Sequence, residues 1–292
     1  MKKKIAFIGI GIMGSHMAKH LINKFGNINI VKRNSHKTKK FISKYKKNSK
    51  VLVYHNLKEL AQNSEIIISC VGNDKDLSKI YLMKNAILEN IKKNTVIIDH
   101  TTSSASISQK LHKKFIKKGC FYFDAPISGG EIGAINGTLS IMVGGDKRKF
   151  NILSNILDPY CKSLIYMGKS GNGQLTKMVN QICVASIIQG LAEGINFAKN
   201  KNLKIDRLIN VIKNGAAQSW QLENRSKTMW QNKFNFGFMN KLMLKDLKLL
   251  LHESKNSKIK LPMTSQIKRY YNELVKKGFS EEDTSNLIRL LR

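Results

Sequence analysis

The feature that most constrains this chain is a glycine loop directly after an apolar segment near its start. Residues 5–8 are apolar, and Gly9, Gly11 and Gly14 follow with the spacing G-x-G-x-x-G before an amphipathic helical pattern. The first glycine allows a tight turn, the second lets the backbone approach a pyrophosphate, and the third lets the helix pack on the strand. The phosphates then lie at the helix N-terminus. The predicted dinucleotide contacts are Gly9, Gly11, Ile12, Met13 and Gly14.

A basic end of the second predicted strand favours NADP as the dinucleotide. In NAD-binding proteins an Asp or Glu about 20 residues after the glycines binds the ribose 2′-hydroxyl. Here the strand at 28–31 continues as Lys32-Arg33-Asn34. Arg33 can bind a 2′-phosphate through two N–H donors, whereas a carboxylate would repel it. The alternative interpretation makes Arg33 an ordinary surface residue and leaves NAD as the cofactor.

The alternation of short β-branched runs with amphipathic stretches predicts a parallel sheet with helices on both faces. The predicted strands cover residues 5–8, 28–31, 51–53, 65–71, 95–99, 121–124, 139–143 and 164–167. The strand pattern stops near Gly171, and a long helical pattern at 174–199 is followed by further helices. We therefore predict an α/β domain over 1–167 and an all-helical domain over 168–292.

The formal net charge of +32 suggests nucleic-acid binding, because lysine and arginine neutralise phosphates. Of the 51 basic residues, however, only seven are arginine, and the lysines are spread along the chain, most densely at 37–50 and 110–118. Arginine is the side chain that pairs with phosphates and base edges through two donors. We interpret the charge as solvated lysines and expect no specific nucleic-acid partner.

The sequence predicts a cytoplasmic protein without a membrane or metal site. It has no apolar run of signal-peptide length at the start and no uninterrupted stretch of about 20 apolar residues elsewhere. The cysteines Cys70, Cys120, Cys161 and Cys183 lie far apart, without a C-x-x-C pair or nearby histidines at ligand spacing. Neither a bound metal nor a disulfide is therefore expected.

A glycine-containing loop after the strand at 121–124 is a candidate substrate site. Ser128, Gly129 and Gly130 follow that strand and should lie at the carboxyl edge of the sheet, where open α/β folds bind ligands. The Ser128 hydroxyl and the two glycine N–H groups can bind a carboxylate, since bare glycine backbone admits close approach. The alternative is an ordinary serine in a turn.

Three polar side chains share one face of the long predicted helix. Lys177, Asn180 and Gln181 are separated by three and four positions, and their neighbours Met178 and Val179 are apolar. Lysine is seldom buried without a role. Because desolvation favours the neutral amine, a buried lysine can exchange a proton near neutral pH. Lys177 is therefore the candidate general acid and base.

Six motifs in their order along the chain resemble the β-hydroxyacid dehydrogenase family, which includes 3-hydroxyisobutyrate dehydrogenases and tartronate semialdehyde reductases. They are GIGIMGSHMA from Gly9, VGND from Val71, DHTTSSA from Asp99, DAPISGGEIGAINGTLSIMVGGD from Asp124, GNGQLTKMVNQ from Gly171 and GFMNKLMLKDL from Gly237. The resemblance covers nearly the whole chain. It implies a Rossmann-like domain, a long interdomain helix with a catalytic lysine, and an all-helical domain that forms homodimers or homotetramers.

The resemblance also implies roles for the residues of the substrate site. Lys177 matches the general acid and base, Ser128 and Gly129 match the residues that hold the substrate carboxylate, and Asn180 or Gln181 orients the substrate. Gln181 departs from the family's K-x-x-N-N pattern, which has asparagine there, and so is similar to the tartronate semialdehyde reductase branch.

Further positions match the cofactor end of the site or the pocket wall. Thr102, Lys245 and Asp246 match positions near the nicotinamide, Val71 begins a matched cofactor motif, and Phe238 matches a pocket aromatic. Trp220 is a second candidate for shaping the pocket. Its alternative interpretation is a core or interface aromatic.

These residues together predict reversible hydride transfer between NADP(H) and a small 3-hydroxy acid or semialdehyde. His100 is the closest competing acid and base, but no histidine lies in the glycine-rich segments after Asp124. Two alternatives stay open: a non-catalytic protein of the dehydrogenase fold that binds polyanions, and an enzyme similar to imine reductases. The sequence does not identify the hydroxy acid.

Overall fold

The protein divides into two compact units, Met1–Lys177 and Met178–Arg292. Their description rests on a computed structural model that covers residues 3–32, 35–46 and 50–292. The division falls inside a helix, whereas the predicted boundary at 167/168 lies at the end of the last strand of the first unit.

One sheet of nine strands forms the centre of the first unit in the described part of the chain. The strands are β1 (Ile5–Ile8), β2 (Ile28–Val31), β3 (Val51–Tyr54), β4 (Ile66–Ser69), β5 (Val96–Asp99), β6 (Phe121–Asp124), β7 (Ile127–Ser128), β8 (Leu139–Gly144) and β9 (Cys161–Gly168). Strands β3-β2-β1-β4-β5-β6 are parallel in this order. Strand β8 then pairs antiparallel with β6 and β7 and parallel with β9.

Helices cover both faces of this sheet. They are α1 (Ile12–Phe25), α2 (His36–Lys46), α3 (Leu57–Gln62), α4 (Asp74–Leu82), α5 (Ile87–Asn90), α6 (Ala105–Lys117), α7 (Gly130–Asn136) and α8 (Asn151–Leu157), with 3-10 turns at Lys147–Lys149 and Asp158–Tyr160. Alternate residues of β1 enter different cores: Ile5 and Phe7 join one apolar cluster, and Ala6 and Ile8 join the other. A strand buried on both faces explains the uninterrupted apolar run at 5–8.

The second unit is helical after the long helix α9 (Asn172–Asn200), which begins in the first unit. It contains α10 (Ile205–Ile212), α11 (Trp220–Trp230), α12 (Asn240–Asn256), α13 (Pro262–Lys276) and a 3-10 helix at Thr284–Leu291. The core of this unit includes Ala185, Ile188 and Ala192 from α9 and Met243 from α12. The predicted fold class, a Rossmann-like domain followed by an all-helical region, is confirmed.

Helix α9 is, by length and composition alone, apolar enough to cross a membrane, which the sequence reading did not anticipate. It is the one such helix in the described residues, and the core helix of a globular protein meets the same criteria. Its apolar character is interrupted by the buried polar side chains of Gln174, Lys177 and Gln181. Ile188 packs in the core of the second unit, and 39% of the apolar window is buried.

Asp283 links several elements of the second unit. Its carboxylate is 1% exposed and accepts hydrogen bonds from Arg225 Nε at 3.1 Å and from the Phe238 N–H at 2.9 Å. The N–H and hydroxyl of Ser285 donate to it at 3.0 and 2.6 Å. A buried carboxylate with this many donors is stable only while its partners remain in place.

We expect Asp283→Ala to lower the free energy of unfolding of the second unit by about 3–5 kcal/mol, because it leaves the largely buried Arg225 guanidinium without its carboxylate. Urea unfolding followed by circular dichroism measures the effect. As a control, Glu273→Ala removes an exposed pair with Lys277 and should cost about 0.5 kcal/mol or less. Equal losses in the two variants would contradict the assignment.

His100, directly after β5, is a buried side chain whose two ring nitrogens both form hydrogen bonds. Its Nδ1 lies 2.6 Å from the Ala125 carbonyl oxygen and therefore donates, and its Nε2 accepts from the Tyr160 hydroxyl at 2.9 Å. Burial lowers the pKa of His100 from 6.5 to about 4. The imidazole is neutral at physiological pH.

Protonation of His100 should destabilise the fold in acid. The unfolded chain binds this proton near pH 6.5 and the folded chain near pH 4, so stability falls as the pH drops through this window. Between pH 7 and pH 4, we expect the free energy of unfolding of wild type to fall by about 3 kcal/mol more than that of His100→Gln. Burial raises the pKa of Asp99 to about 6, which opposes this trend but acts in both proteins. A pH-independent difference between the two unfolding curves would contradict the prediction.

Candidate active site

The three glycines of the loop after β1 have different structural tasks. Gly9 has φ +99°, and a Cβ there would lie 2.0 Å from the Cys70 carbonyl oxygen. A Cβ on Gly14 would lie 2.0 Å from the Gly9 carbonyl oxygen, so helix α1 packs directly on the loop. At Gly11 a Cβ would meet open space, and this residue is the N-cap of α1 without a side chain to occupy the first-turn N–H groups. The loop thus fits a pyrophosphate at Gly11, Ile12 and Met13.

The loops after β4 and β5 lie side by side at the carboxyl edge of the sheet. The Val71 N–H donates to Thr101 Oγ1 at 3.0 Å, and the His100 N–H donates to the Ser69 carbonyl at 2.8 Å. Thr102 follows Thr101 and is half-buried. Two predicted cofactor contacts, Val71 and Thr102, are therefore in adjacent loops of the first unit.

Asp99 holds these loops together, a role that the sequence reading did not assign. Its Oδ1 accepts from Ser69 Oγ at 2.7 Å and from the Thr101 N–H at 3.1 Å, and its Oδ2 accepts from Tyr122 Oη at 3.1 Å. Burial raises the pKa of this carboxyl, and the hydrogen bonds from Thr101, Ser69 and Tyr122 oppose the rise. An acidic residue at the end of an otherwise apolar strand was the available signal.

The substrate loop adopts a backbone that requires glycine. Ser128 ends β7, is half-buried and pairs with Ser140 of β8. Gly129 and Gly130 follow with φ values of +123° and +61°, and both are exposed. Residues that carry a side chain rarely adopt two successive positive φ values, so this backbone requires the Gly-Gly sequence. Without side chains, the backbone is also accessible to a ligand.

The helix that carries Lys177 begins at the carboxyl edge of the same sheet. Asp124, the last residue of β6, accepts from Ser170 Oγ and the Gly171 N–H through Oδ1, at 3.0 and 2.8 Å. Its Oδ2 accepts from the Gln174 N–H at 3.2 Å. Lys177 follows one turn later and is 8% exposed. The predicted burial of this lysine is thus observed, and the anchoring roles of Asp124 and Gln174 are new.

Two amides and a carboxylate form a chain of hydrogen bonds in the second unit. Gln181 Nε2 donates to Asp246 Oδ2 at 2.7 Å, and Asn180 Nδ2 donates to Gln181 Oε1 at 2.9 Å. Asp246 is 3% exposed, and its Oδ1 lies 3.1 Å from Lys245 Nζ. Because a carboxylate only accepts, Asp246 sets the orientation of the Gln181 amide, which in turn sets that of Asn180.

The two predicted pocket aromatics lie near Asp283 of the second unit. Trp220 begins α11, is 48% exposed and lies 4.8 Å from the Arg225 guanidinium, measured to the ring centre. Phe238 is half-buried, packs against the core of the unit, and donates its N–H to Asp283. Trp220 is therefore not a core aromatic in this chain.

The remaining sequence predictions concern Arg33 and a bound metal. Arg33, the predicted 2′-phosphate ligand, lies outside the described residues. Within residues 3–32, 35–46 and 50–292, no group of three or more His, Cys, Asp or Glu side chains is arranged to hold a metal ion.

Two sequence families match consecutive parts of the chain. Residues 4–168 match the NAD binding domain of 6-phosphogluconate dehydrogenase, and residues 171–291 match the NAD-binding family of NADP-dependent 3-hydroxyisobutyrate dehydrogenase. Together they cover both units.

Individual relatives match over almost the full chain. An uncharacterized oxidoreductase of Shewanella frigidimarina is 39% identical over 99% of this chain and 98% of its own, and the 2-hydroxy-3-oxopropionate reductase of Escherichia coli is 30% identical over 99% and 97%. The solved structure of Mycobacterium tuberculosis 3-hydroxyisobutyrate dehydrogenase with L-serine is 25% identical, with full coverage of both chains and a TM-score of 0.89. This chain belongs to the 3-hydroxyisobutyrate dehydrogenase family of NAD(P)-dependent oxidoreductases.

Proposed function

We propose that this enzyme transfers a hydride reversibly between NADP(H) and a small 3-hydroxy acid or its semialdehyde, with Lys177 as the general acid and base. The observation that carries the proposal is the burial of Lys177, one helical turn beyond the point where α9 is bonded to the carboxyl edge of the sheet. Ligands of open α/β folds bind at that edge. A buried lysine at such a place is suited to proton transfer.

The cofactor would be held by residues of the glycine loop and of the neighbouring loops. The N–H groups at the start of α1 bind the pyrophosphate, because Gly11 leaves them uncovered. By the family resemblance, Val71 and Thr102 would contact the nicotinamide end, and Lys245 and Asp246 match further positions of that kind. When bound, the nicotinamide supplies or accepts the hydride.

Lys177 moves the proton that accompanies the hydride. In reduction its ammonium gives a proton to the carbonyl oxygen of the substrate, and in oxidation its neutral amine accepts the hydroxyl proton. The positive charge also stabilises the negative charge that develops on this oxygen. His100 cannot substitute for it, since both ring nitrogens are bonded to Ala125 and Tyr160.

The substrate would be bound through its carboxylate and oriented by one amide. Ser128, Gly129 and Gly130 would receive the carboxylate, and Trp220 and Phe238 are the candidate pocket aromatics that the motifs and the family resemblance supply. The Gln181 amide is bonded at both ends, to Asp246 and to Asn180. We therefore assign substrate orientation to Asn180 and the support of Asn180 to Gln181.

The proposal also includes a homodimeric or homotetrameric state and a cytoplasmic location. The hydroxy acid itself is to be identified by assay. Candidate substrates that differ by one methylene are separated by about 1–3 kcal/mol of binding. A panel of short 3-hydroxy acids and semialdehydes, assayed with NADPH and NADH, identifies the substrate. The comparisons favour neither the polyanion-binding protein nor the imine reductase, and cyclic imines in the same panel test the latter.

We expect Lys177→Met to lower kcat by about 10²–10⁴-fold, because the variant loses its proton donor, while the Kd for NADPH stays unchanged. Steady-state assays and fluorescence titration of NADPH measure the two quantities. Small primary amines should restore part of the activity of Lys177→Ala. The control is Lys199→Met, an exposed lysine further along α9, which should keep wild-type turnover. Full turnover of Lys177→Met would refute the acid and base assignment.

We expect Arg33→Ala to raise the KM for NADPH by about 10- to 100-fold and to leave the KM for NADH nearly unchanged, because a charge-assisted hydrogen bond to the 2′-phosphate is lost. Arg207→Ala removes an exposed arginine of the second unit and controls for the change of net charge. Equal effects on the two cofactors would rule out the NADP assignment.

A further inference from the structure

We propose that Asp124 and Gln174 are positioning residues of the reaction: they fix the location of Lys177 by bonding the start of α9 to the end of β6 and to the loop after β5. The inference rests on the proposed acid and base role of Lys177. All three residues belong to the first unit.

The Asp124 carboxylate and the start of α9 depend on each other. The first N–H groups of a helix have no acceptor within the helix, and a negative charge is favourable there. Asp124 supplies that acceptor to the Gln174 N–H, and it also accepts from the Gly171 N–H and the Ser170 hydroxyl, which lie directly before α9. Asp124 is 0% exposed, and a charge so deeply buried is tolerated only when donors surround it. Displacing the helix start would therefore leave an unpaired buried charge.

Two glycines bring the helix start into direct contact with the sheet. A Cβ on Gly144, at the end of β8, would lie 2.7 and 2.8 Å from the Asp124 carboxylate oxygens and 2.9 Å from the Gly173 nitrogen. A Cβ on Gly173, in the first turn of α9, would lie 2.6 Å from the carbonyl oxygens of Asp124 and Met142. The space between helix and strand ends does not admit a methyl group.

The Gln174 side chain bonds the same turn to the loop after β5. Its Oε1 accepts from the Ser103 N–H at 3.0 Å, and its Nε2 donates to the Thr101 carbonyl at 2.8 Å. Gln174 is 0% exposed. The first turn of α9 is thus bonded or packed against the ends of β5, β6 and β8, so its position is set in more than one direction.

Lys177 lies so close to the first turn of α9 that a displacement of this turn also displaces Lys177. It lies three positions after Gln174 in the helix, a rise of about 4.5 Å. Proton transfer requires the amine to lie about 2.6–3.2 Å from the substrate oxygen. A shift of the helix start by about 1 Å, carried along a rigid turn, can cost about 100-fold in rate.

The first test is Asp124→Asn, which keeps the shape of the side chain. An amide has one acceptor oxygen, so either the Gly171 or the Gln174 N–H must face an NH₂ group. We expect kcat to fall by about 10- to 100-fold. The Kd for NADPH, measured by fluorescence titration, should stay unchanged. The isotope effect on kcat with deuterated NADPH should rise, because the chemical step becomes slower than product release.

A second variant reaches the same contact from the opposite side. Gly144→Ala keeps Asp124 but inserts a methyl group between the strand end and α9, and we expect the same loss of kcat at unchanged Kd for NADPH. Ser170→Ala should lose less, since it leaves the two N–H donors of the helix paired with Asp124. If Asp124→Asn does not fold, Gly144→Ala and Gln174→Leu provide the test.

The controls separate positioning from stability. Ile156→Ala creates a cavity in the core of the first unit, at a residue with no part in the proposed site, and should lower Tm while kcat is retained. Folded Asp124→Asn and Gly144→Ala proteins with kcat within about a factor of two of wild type would overturn the inference. A parallel loss of kcat and NADPH binding would also overturn it. Full activity of Lys177→Met would instead refute the proposed function, whatever Asp124→Asn shows.

Discussion

The interaction on which the rest of the first unit depends is the bonding of the Asp124 carboxylate to the start of α9. Strand β6 ends in a carboxylate that is fully buried, and the N–H groups of Gly171, just before α9, and Gln174, in its first turn, are the donors that make this burial tolerable. The chain leaves the sheet at this point, so one contact both ends the α/β unit and starts the helix of the proposed acid and base. Asp99 acts in the same way one strand away, where it joins the loops after β4 and β5.

Periodicity and glycine chemistry were sufficient to predict most of the elements. The strand at 5–8 and the long helix were predicted to within two residues of their observed ends, because each has a strong apolar pattern. Strand β7 was missed: a two-residue strand has no period, and its pairing with β8 depends on tertiary contact. The Gly-Gly sequence at 129–130 predicts an accessible loop; both residues are exposed, but Gly130 is already the first residue of α7.

The site was less accessible to sequence reasoning, since its supporting contacts join distant positions. Asp124 and Gly171 are 47 residues apart, and Gln174 reaches across 71 residues to Ser103. Neither pair leaves a local pattern. The resemblance to relatives supplied candidate roles for individual residues but did not show which side chains hold the others in place. Asp246 illustrates the difference: the resemblance predicts it near the cofactor, which stays a prediction, but gives no indication that it bonds the Gln181 amide.

The Gln181 amide also bears on the substrate preference of the proposed reaction. Glutamine at 181 is long enough to reach Asp246 and occupy both ends of its own amide. Asparagine is shorter by one methylene, so its amide would stand back from the carboxylate and be available to a ligand. In the proposed site, an exchange of glutamine for asparagine at position 181 would therefore change the number of hydrogen-bonding groups that face the substrate, without any change of backbone.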